Sequence, residues 1–117
     1  MKTSSAKAKG RLLQQWMRDL IIVTLGLDPE DVKSTSMGAP GEDIQLSKAA
    51  RVKFPYSVEC KNVEKLNVWE AYEQAKSNCS VYEPVVFIKK NGKKPLAVVD
   101  AEHFVKLQAY FCRREEL

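Results

Sequence analysis

Histidine is almost missing from this chain, and His103 is the sole one. A Ser-His-Asp or Cys-His site would therefore rest on that residue alone. His103 falls in a helical stretch and is expected at the surface or half-buried. Cysteine is also sparse. Cys60, Cys79 and Cys112 are odd in number and far apart, which fits neither a disulfide framework nor the spacing of zinc ligands. Each is expected to be a small core residue in a reducing compartment. No apolar run approaches the ~20 residues that a membrane span needs; Leu20–Leu25 is too short. The opening MKTSSAKAKG has no apolar signal core, so a secretory signal is not expected. Internal repeats and low-complexity segments are absent as well.

What is present suits one α/β domain. The chain has 117 residues, a single-domain length. A chain of that size buries roughly two-thirds of its unfolded surface. Hydrophobic residues make up 44%, which argues against global disorder. The net charge is only +4, but the basic residues are clustered. Lys2, Lys7, Lys9 and Arg11 form one group, Lys48, Arg51 and Lys53 a second, and Lys89, Lys90, Lys93 and Lys94 a third. Such clusters suit a polyanionic partner.

Residues 1–8 read as a flexible basic tail, and residues 9–117 as the domain. Leu12, Leu13, Trp16, Met17, Leu20, Ile21 and Leu25 recur at helical spacing, and Gly26 is placed to cap that helix. Asp28-Pro29 begins a turn or a single helical turn. Val32–Ser36 is a weak strand candidate and Met37–Gly41 a loop. Asp43–Ser47 and Tyr56–Asn62 alternate as half-buried strands do. Between them, Lys48–Phe54 reads equally as a short helix or as a hairpin continued. Asn67 and Glu70 stand at the spacing of a capping box, opening a helix with Val68, Ala71, Tyr72, Ala75 and Cys79 on its apolar stripe. Pro84–Lys89, the turn Asn91-Gly92 and Leu96–Val99 form a strand pair, and Ala101–Cys112 a last helix. The predicted order is αβββαββα, a central mixed sheet flanked by helices.

Strand alternation gathers the chemistry. Glu59 and Lys61 point to one face of their strand, Val58 and Cys60 to the other, the core. Asp43 and Gln45 share a face opposite Ile44 and Leu46. If the two strands are neighbours, Asp43, Glu59 and Lys61 converge. Alternation turns Glu42 away, making Asp43 the better ligand, although a bulge would reverse that choice. Two carboxylates supply hard oxygen donors for Mg²⁺, which keeps several of its own waters. A third donor is the Cys60 backbone carbonyl. A bound metal polarises a phosphoryl oxygen and acidifies a water. Lys61 would orient or deprotonate that water, or stabilise charge developing on phosphate.

Gly41-Glu42-Asp43, a spacer, and then Val58-Glu59-Cys60-Lys61-Asn62 resemble the PD-(D/E)xK nuclease superfamily. The resemblance covers roughly residues 9–99 and implies a restriction-endonuclease-like core. Lys9-Gly10-Arg11, opening the first helix, resembles archaeal-type Holliday junction resolvases and small phage endonucleases. In those proteins a glutamate four residues after the glycine approaches the metal. Gln14 stands there in this chain, a weaker ligand suited to bonding a metal-bound water. Gln74 resembles an extra polar residue that some members place beside the catalytic residues.

The resemblance implies a Mg²⁺-dependent endodeoxyribonuclease, with Mn²⁺ able to substitute. Branched DNA is the expected substrate, recombination in a bacterial or phage-infected cytoplasm the expected setting, and a homodimer the expected assembly. Lys7, Lys9, Arg11, Lys48, Arg51 and Lys53 are the expected phosphate contacts. Alternatives are a nicking or restriction-like nuclease subunit, and a non-catalytic nucleic-acid-binding module. The apolar residues Phe104, Leu107, Tyr110 and Phe111 of the last helix are assigned mostly to core packing, with a dimer interface as a further use. Trp16, Trp69 and Tyr72 are assigned to core packing rather than base stacking.

Overall fold

The computed structural model describes residues 3–35 and 39–116. Of the expected tail, Met1 and Lys2 lie outside the described residues, and so do residues 36–38 of the expected strand end and loop. The first helix, α1, spans Thr3–Leu25. Residues 3–8 are therefore helical, which corrects the expected tail. Ala6, Lys7, Ala8 and Lys9 are good helix formers, and no proline interrupts them. Gly26 ends α1 with φ 63°, and Leu27 N–H donates to Ile22 O at 3.0 Å, the left-handed cap expected from the sequence.

Asp28 accepts from Glu30 N–H at 2.9 Å and caps a 3-10 turn at Pro29–Asp31. Strands β1 (Val32–Ser34) and β2 (Ile44–Leu46) follow, and helix α2 (Lys48–Lys53) resolves the ambiguous stretch. Ser47 caps it by accepting Ala50 N–H at 3.1 Å. Then come β3 (Tyr56–Asn62), α3 (Val68–Ser77), β4 (Glu83–Lys89), β5 (Leu96–Val98) and α4 (Ala101–Glu116). This is the predicted order with α2 inserted. Asn67 caps α3 by accepting Glu70 N–H at 3.1 Å.

The five strands form one sheet in the order β1-β2-β3-β4-β5. Only β3 and β4 run parallel, with Val58 beside Val85 and Glu59 beside Val86; the other pairs are antiparallel. Side chains in register share a face. Val58, Cys60, Val85 and Phe87 therefore face α1, packing on Leu13, Met17 and Ile21. On the other face Val86 packs against Ala71 and Ala75 of α3. Two small residues at i and i+4 let the helix approach the sheet closely.

Both faces are thus covered before α4 is reached. That helix touches the body near its start, where His103 Nε2 lies 2.6 Å from Tyr56 Oη. Phe104, Tyr110 and Phe111 are exposed, so the expected core packing of α4 is not found. Trp16 and Trp69 are likewise exposed, while Tyr72 is half-buried. The α1 stripe is narrower than its sequence suggested, because Leu12 and Leu20 also face solvent. Of the cysteines only Cys60 is buried; Cys79 is half-buried and Cys112 exposed. No described helix is long and apolar enough to cross a membrane.

Candidate functional site

β3 supplies the first two residues. Glu59 and Lys61 stand on its α3 face, and Lys61 Nζ lies 3.6 Å from Glu59 Oε1. Glu59 is only 4% exposed, and its Oε2 is buried without a hydrogen-bond partner. Burial and the neighbouring Asp43 charge, partly offset by Lys61, push its pKa from 4.5 up to about 7. A carboxyl pushed up in this way lacks solvation or a sufficient counter-charge for its ionised form.

Asp43 joins them from the position just before β2. Its N–H donates to Val58 O at 2.9 Å, while the next residue, Ile44, is the register partner of Val58. Two residues thus oppose one, the arrangement a β-bulge makes, and bulges re-aim side chains. Asp43 Oδ2 accepts the Cys60 N–H at 2.7 Å, and its carbonyl accepts Thr35 N–H at 2.9 Å. Backbone bonds to Thr35, just after β1, and to β3 therefore fix the aim of this carboxylate. Its pKa is raised by burial, against the Cys60 N–H, the Lys61 charge and contacts with Glu59 and Gln14. The bulge does not exchange Asp43 for Glu42. Glu42 is held instead by Arg51, Nη2 to Oε1 at 2.8 Å.

Gln14 is drawn in from α1. It is 2% exposed, accepts from Ser34 Oγ at 2.9 Å, and favours the ionised form of Asp43. Gln74 is not drawn in: it is exposed on α3, and its carbonyl accepts from Ser77 Oγ. The Cys60 thiol points into the α1 face, where burial and the two carboxylates push its pKa up. It is therefore a poor nucleophile and thiolate ligand.

The donor set fits a hard divalent cation. Two carboxylates and a lysine occupy one place, one carboxylate oxygen has no partner, and both acids resist ionising without a counter-charge. The Cys60 C=O faces the same strand edge as its N–H, beside Asp43. Among the described residues no group of three or more His, Cys, Asp or Glu side chains could hold an ion. Two carboxylates and a carbonyl suit Mg²⁺, because that ion keeps several waters.

The basic residues divide. Lys7, Arg11 and Lys48 are exposed. Lys9 is half-buried, 3.7 Å from Glu64. Lys53 Nζ donates to Leu25 O at 3.2 Å, where a cation complements the C-terminus of α1. Arg51 is structural. Besides Glu42 it donates to Leu46 O at 3.2 Å and Tyr56 O at 3.1 Å, and its guanidinium lies 4.1 Å from the centre of the Tyr82 ring. Sequence reasoning missed two features. One is the Tyr56–His103–Glu83 group, with His103 Nδ1 3.7 Å from Glu83 Oε1. The other is the exposure of Trp16 beside Asn62. No protein-family model matches the chain, and no curated protein or solved structure does.

Proposed function

We propose that this chain is a metal-dependent endodeoxyribonuclease with a restriction-endonuclease-like core. The observation that carries the reading is the meeting of Asp43, just before β2, with Glu59 and Lys61 of β3 around an unpartnered buried carboxylate oxygen. Asp43, Glu59 and the Cys60 carbonyl would hold Mg²⁺ or Mn²⁺, which when bound acidifies a water and polarises the phosphate. Lys61, 3.6 Å from Glu59, would orient that water or balance charge developing on a phosphoryl oxygen. Gln14 positions Asp43 and offers a hydrogen bond to a metal-bound water. Gln74 is left out of the site, and Arg51 out of the DNA contacts.

Branched DNA is the favoured substrate class, as the resemblance of Lys9-Gly10-Arg11 to junction resolvases implies. Lys7, Lys9, Arg11 and Lys48 would contact phosphates, and Lys53 would do so on leaving the end of α1. Exposed Phe104 and Phe111 on α4 offer the apolar surface for a homodimer, which would supply two cuts across a junction. The setting proposed for such an enzyme is DNA recombination in a bacterial or phage-infected cytoplasm.

The test is cleavage of junction, flap, nicked and linear duplex DNA with Mg²⁺ or Mn²⁺. Asp43→Asn, Glu59→Gln and Lys61→Ala should each lower the rate by about 100-fold or more. Cutting by all three at the parent rate would remove the site assignment. DNA binding with no cutting of any substrate would leave a non-catalytic module instead. Sedimentation of Phe104→Asp/Phe111→Asp against the parent tests the dimer: the parent should be dimeric and the variant monomeric.

A further inference from the structure

We infer that a cleft on the α1 side of the sheet receives an unpaired nucleotide of the DNA strand. The inference rests on the nuclease reading above and names part of its substrate. The cleft, about 460 Å³, lies between α1 and the hairpin that joins β4 to β5. That is the scale of a small-ligand pocket, roughly 300–1,000 Å³. Its apolar wall includes Leu12, Trp16 and Pro95, and its polar end includes Lys9, Asn62 and Lys89.

Two polar groups there lack partners. Asn62 is 8% exposed. Its Nδ2 donates to Lys9 O at 2.9 Å, but its Oδ1 is buried with no hydrogen bond. Buried polar atoms are nearly always satisfied, so an unsatisfied acceptor just beneath the cleft wall marks where a ligand N–H would complete the bonding once the amide turns outward. Lys9 Nζ also lacks a hydrogen-bond partner, its nearest carboxylate being Glu64 at 3.7 Å. Trp16, two turns along α1 from Lys9, is 49% exposed. An exposed indole, an unsatisfied amide at the wall and the ammonium of Lys89 match the face, edge and phosphate of one nucleotide. Within a duplex the pairing edge of each base is occupied by its partner, and a cleft of about 460 Å³ has no room for a pair, so a base enclosed there against the indole is an unpaired one.

The place is as informative as the chemistry. Asn62 follows Lys61 directly on β3, with its side chain on the opposite face. The cleft therefore lies on the α1 side, across the sheet from Glu59 and Lys61, and a strand held there would reach the carboxylates around the C-terminal end of β3. None of the third basic cluster counted among the expected phosphate contacts, yet its Lys89 closes this cleft.

Trp69→Phe leaves Trp16 as the sole tryptophan. In that background, with EDTA present, the probes are a duplex with a single-stranded extension, the same duplex with blunt ends, and deoxyadenosine monophosphate. The extended duplex should quench Trp16 fluorescence and the blunt duplex should not. Trp16→Ala should weaken binding of the extended duplex by about 5- to 100-fold and leave blunt-duplex affinity unchanged, and Trp16→Phe should restore most of the loss. Equal affinities of Trp16→Ala and its parent for the extended duplex would overturn the inference. Quenching by the mononucleotide with no preference for the extension would overturn the strand reading in favour of a free-nucleotide site. The two proposals fail separately. Cleavage that depends on Asp43 but ignores Trp16 removes only the cleft, and extension-dependent quenching without any cleavage removes only the nuclease.

Discussion

Replacing Glu59 by Gln tests the carboxylate pair without any DNA. The amide keeps the shape of the side chain and removes its charge. In the folded protein the Glu59 pKa is raised from 4.5 to about 7, so the folded state binds a proton that the unfolded chain releases earlier. The sign follows from linkage. The stabilising effect of that proton is complete below pH 4.5 and is lost as pH rises through about 7, because between those values the folded state binds more protons than the unfolded. Each pH unit separating the folded and unfolded pKa corresponds to about 1.36 kcal/mol, so the loss is on the order of 3 kcal/mol. That is a large part of the ~5–15 kcal/mol stability of an ordinary domain. Urea unfolding in EDTA across pH 4.5 to 8 measures it. The parent should weaken over this range and Glu59→Gln should stay nearly flat. Saturating Mg²⁺ should remove most of the parent's loss, because a cation takes over from the proton. A parent whose stability is flat or rises with pH, or a variant with the parent's slope, would refute the reasoning.

Gln14→Glu adds a third carboxylate to the pair. It should lower the metal-free melting temperature at pH 8 and tighten Mn²⁺ binding, measured by calorimetry, relative to the parent. Gln14→Ala should cost about 1–3 kcal/mol in urea unfolding, because Ser34 and Asp43 both lose a buried partner. Arg51→Ala leaves Glu42 uncompensated and strips two carbonyls of donors, and should cost about 3–5 kcal/mol. Arg51→Lys should recover little, since an ammonium cannot reproduce the planar fork over Tyr82. Affinity of the folded Arg51 variants for blunt duplex should match the parent's.

Local rules carried most of the fold. Gly26, Asp28 and Asn67 each cap the element their position announced. Alternation in Tyr56–Asn62 correctly separated Glu59 and Lys61 from Val58 and Cys60. The meeting with Asp43 was conditional on strand adjacency, which only the sheet order supplies, and on a two-against-one pairing that alternation does not encode. Helical periodicity failed where it could not know which face a partner covers. Trp16 and Phe104 keep apolar spacing and stay exposed, because α1 meets the sheet through Leu13, Met17 and Ile21, and α4 finds both faces of the sheet taken. Arg51 reads as a phosphate contact in the sequence, because only the fold brings its three acceptors, scattered over residues 42–56, round it. Asn62 gave no signal at all, since a single amide on a strand has no pattern.

The bond between Asp43 and the Cys60 N–H has a mechanical side. β3, α3 and β4 are contiguous in sequence, and their strands pair along seven registered positions, Tyr56 to Asn62. β2 meets β3 through one registered position, Ile44 with Val58, reinforced by the two bonds of Asp43. The proposed metal ligand is thus also a fastener between a broad unit and a narrow one. Detachment of β1 and β2 as a local opening would disarm the site while the β3–α3–β4 unit stays folded. An ion bridging Asp43 and Glu59 would clamp that seam. Amide hydrogen exchange in β2 should then slow when metal is added, with little change in β4.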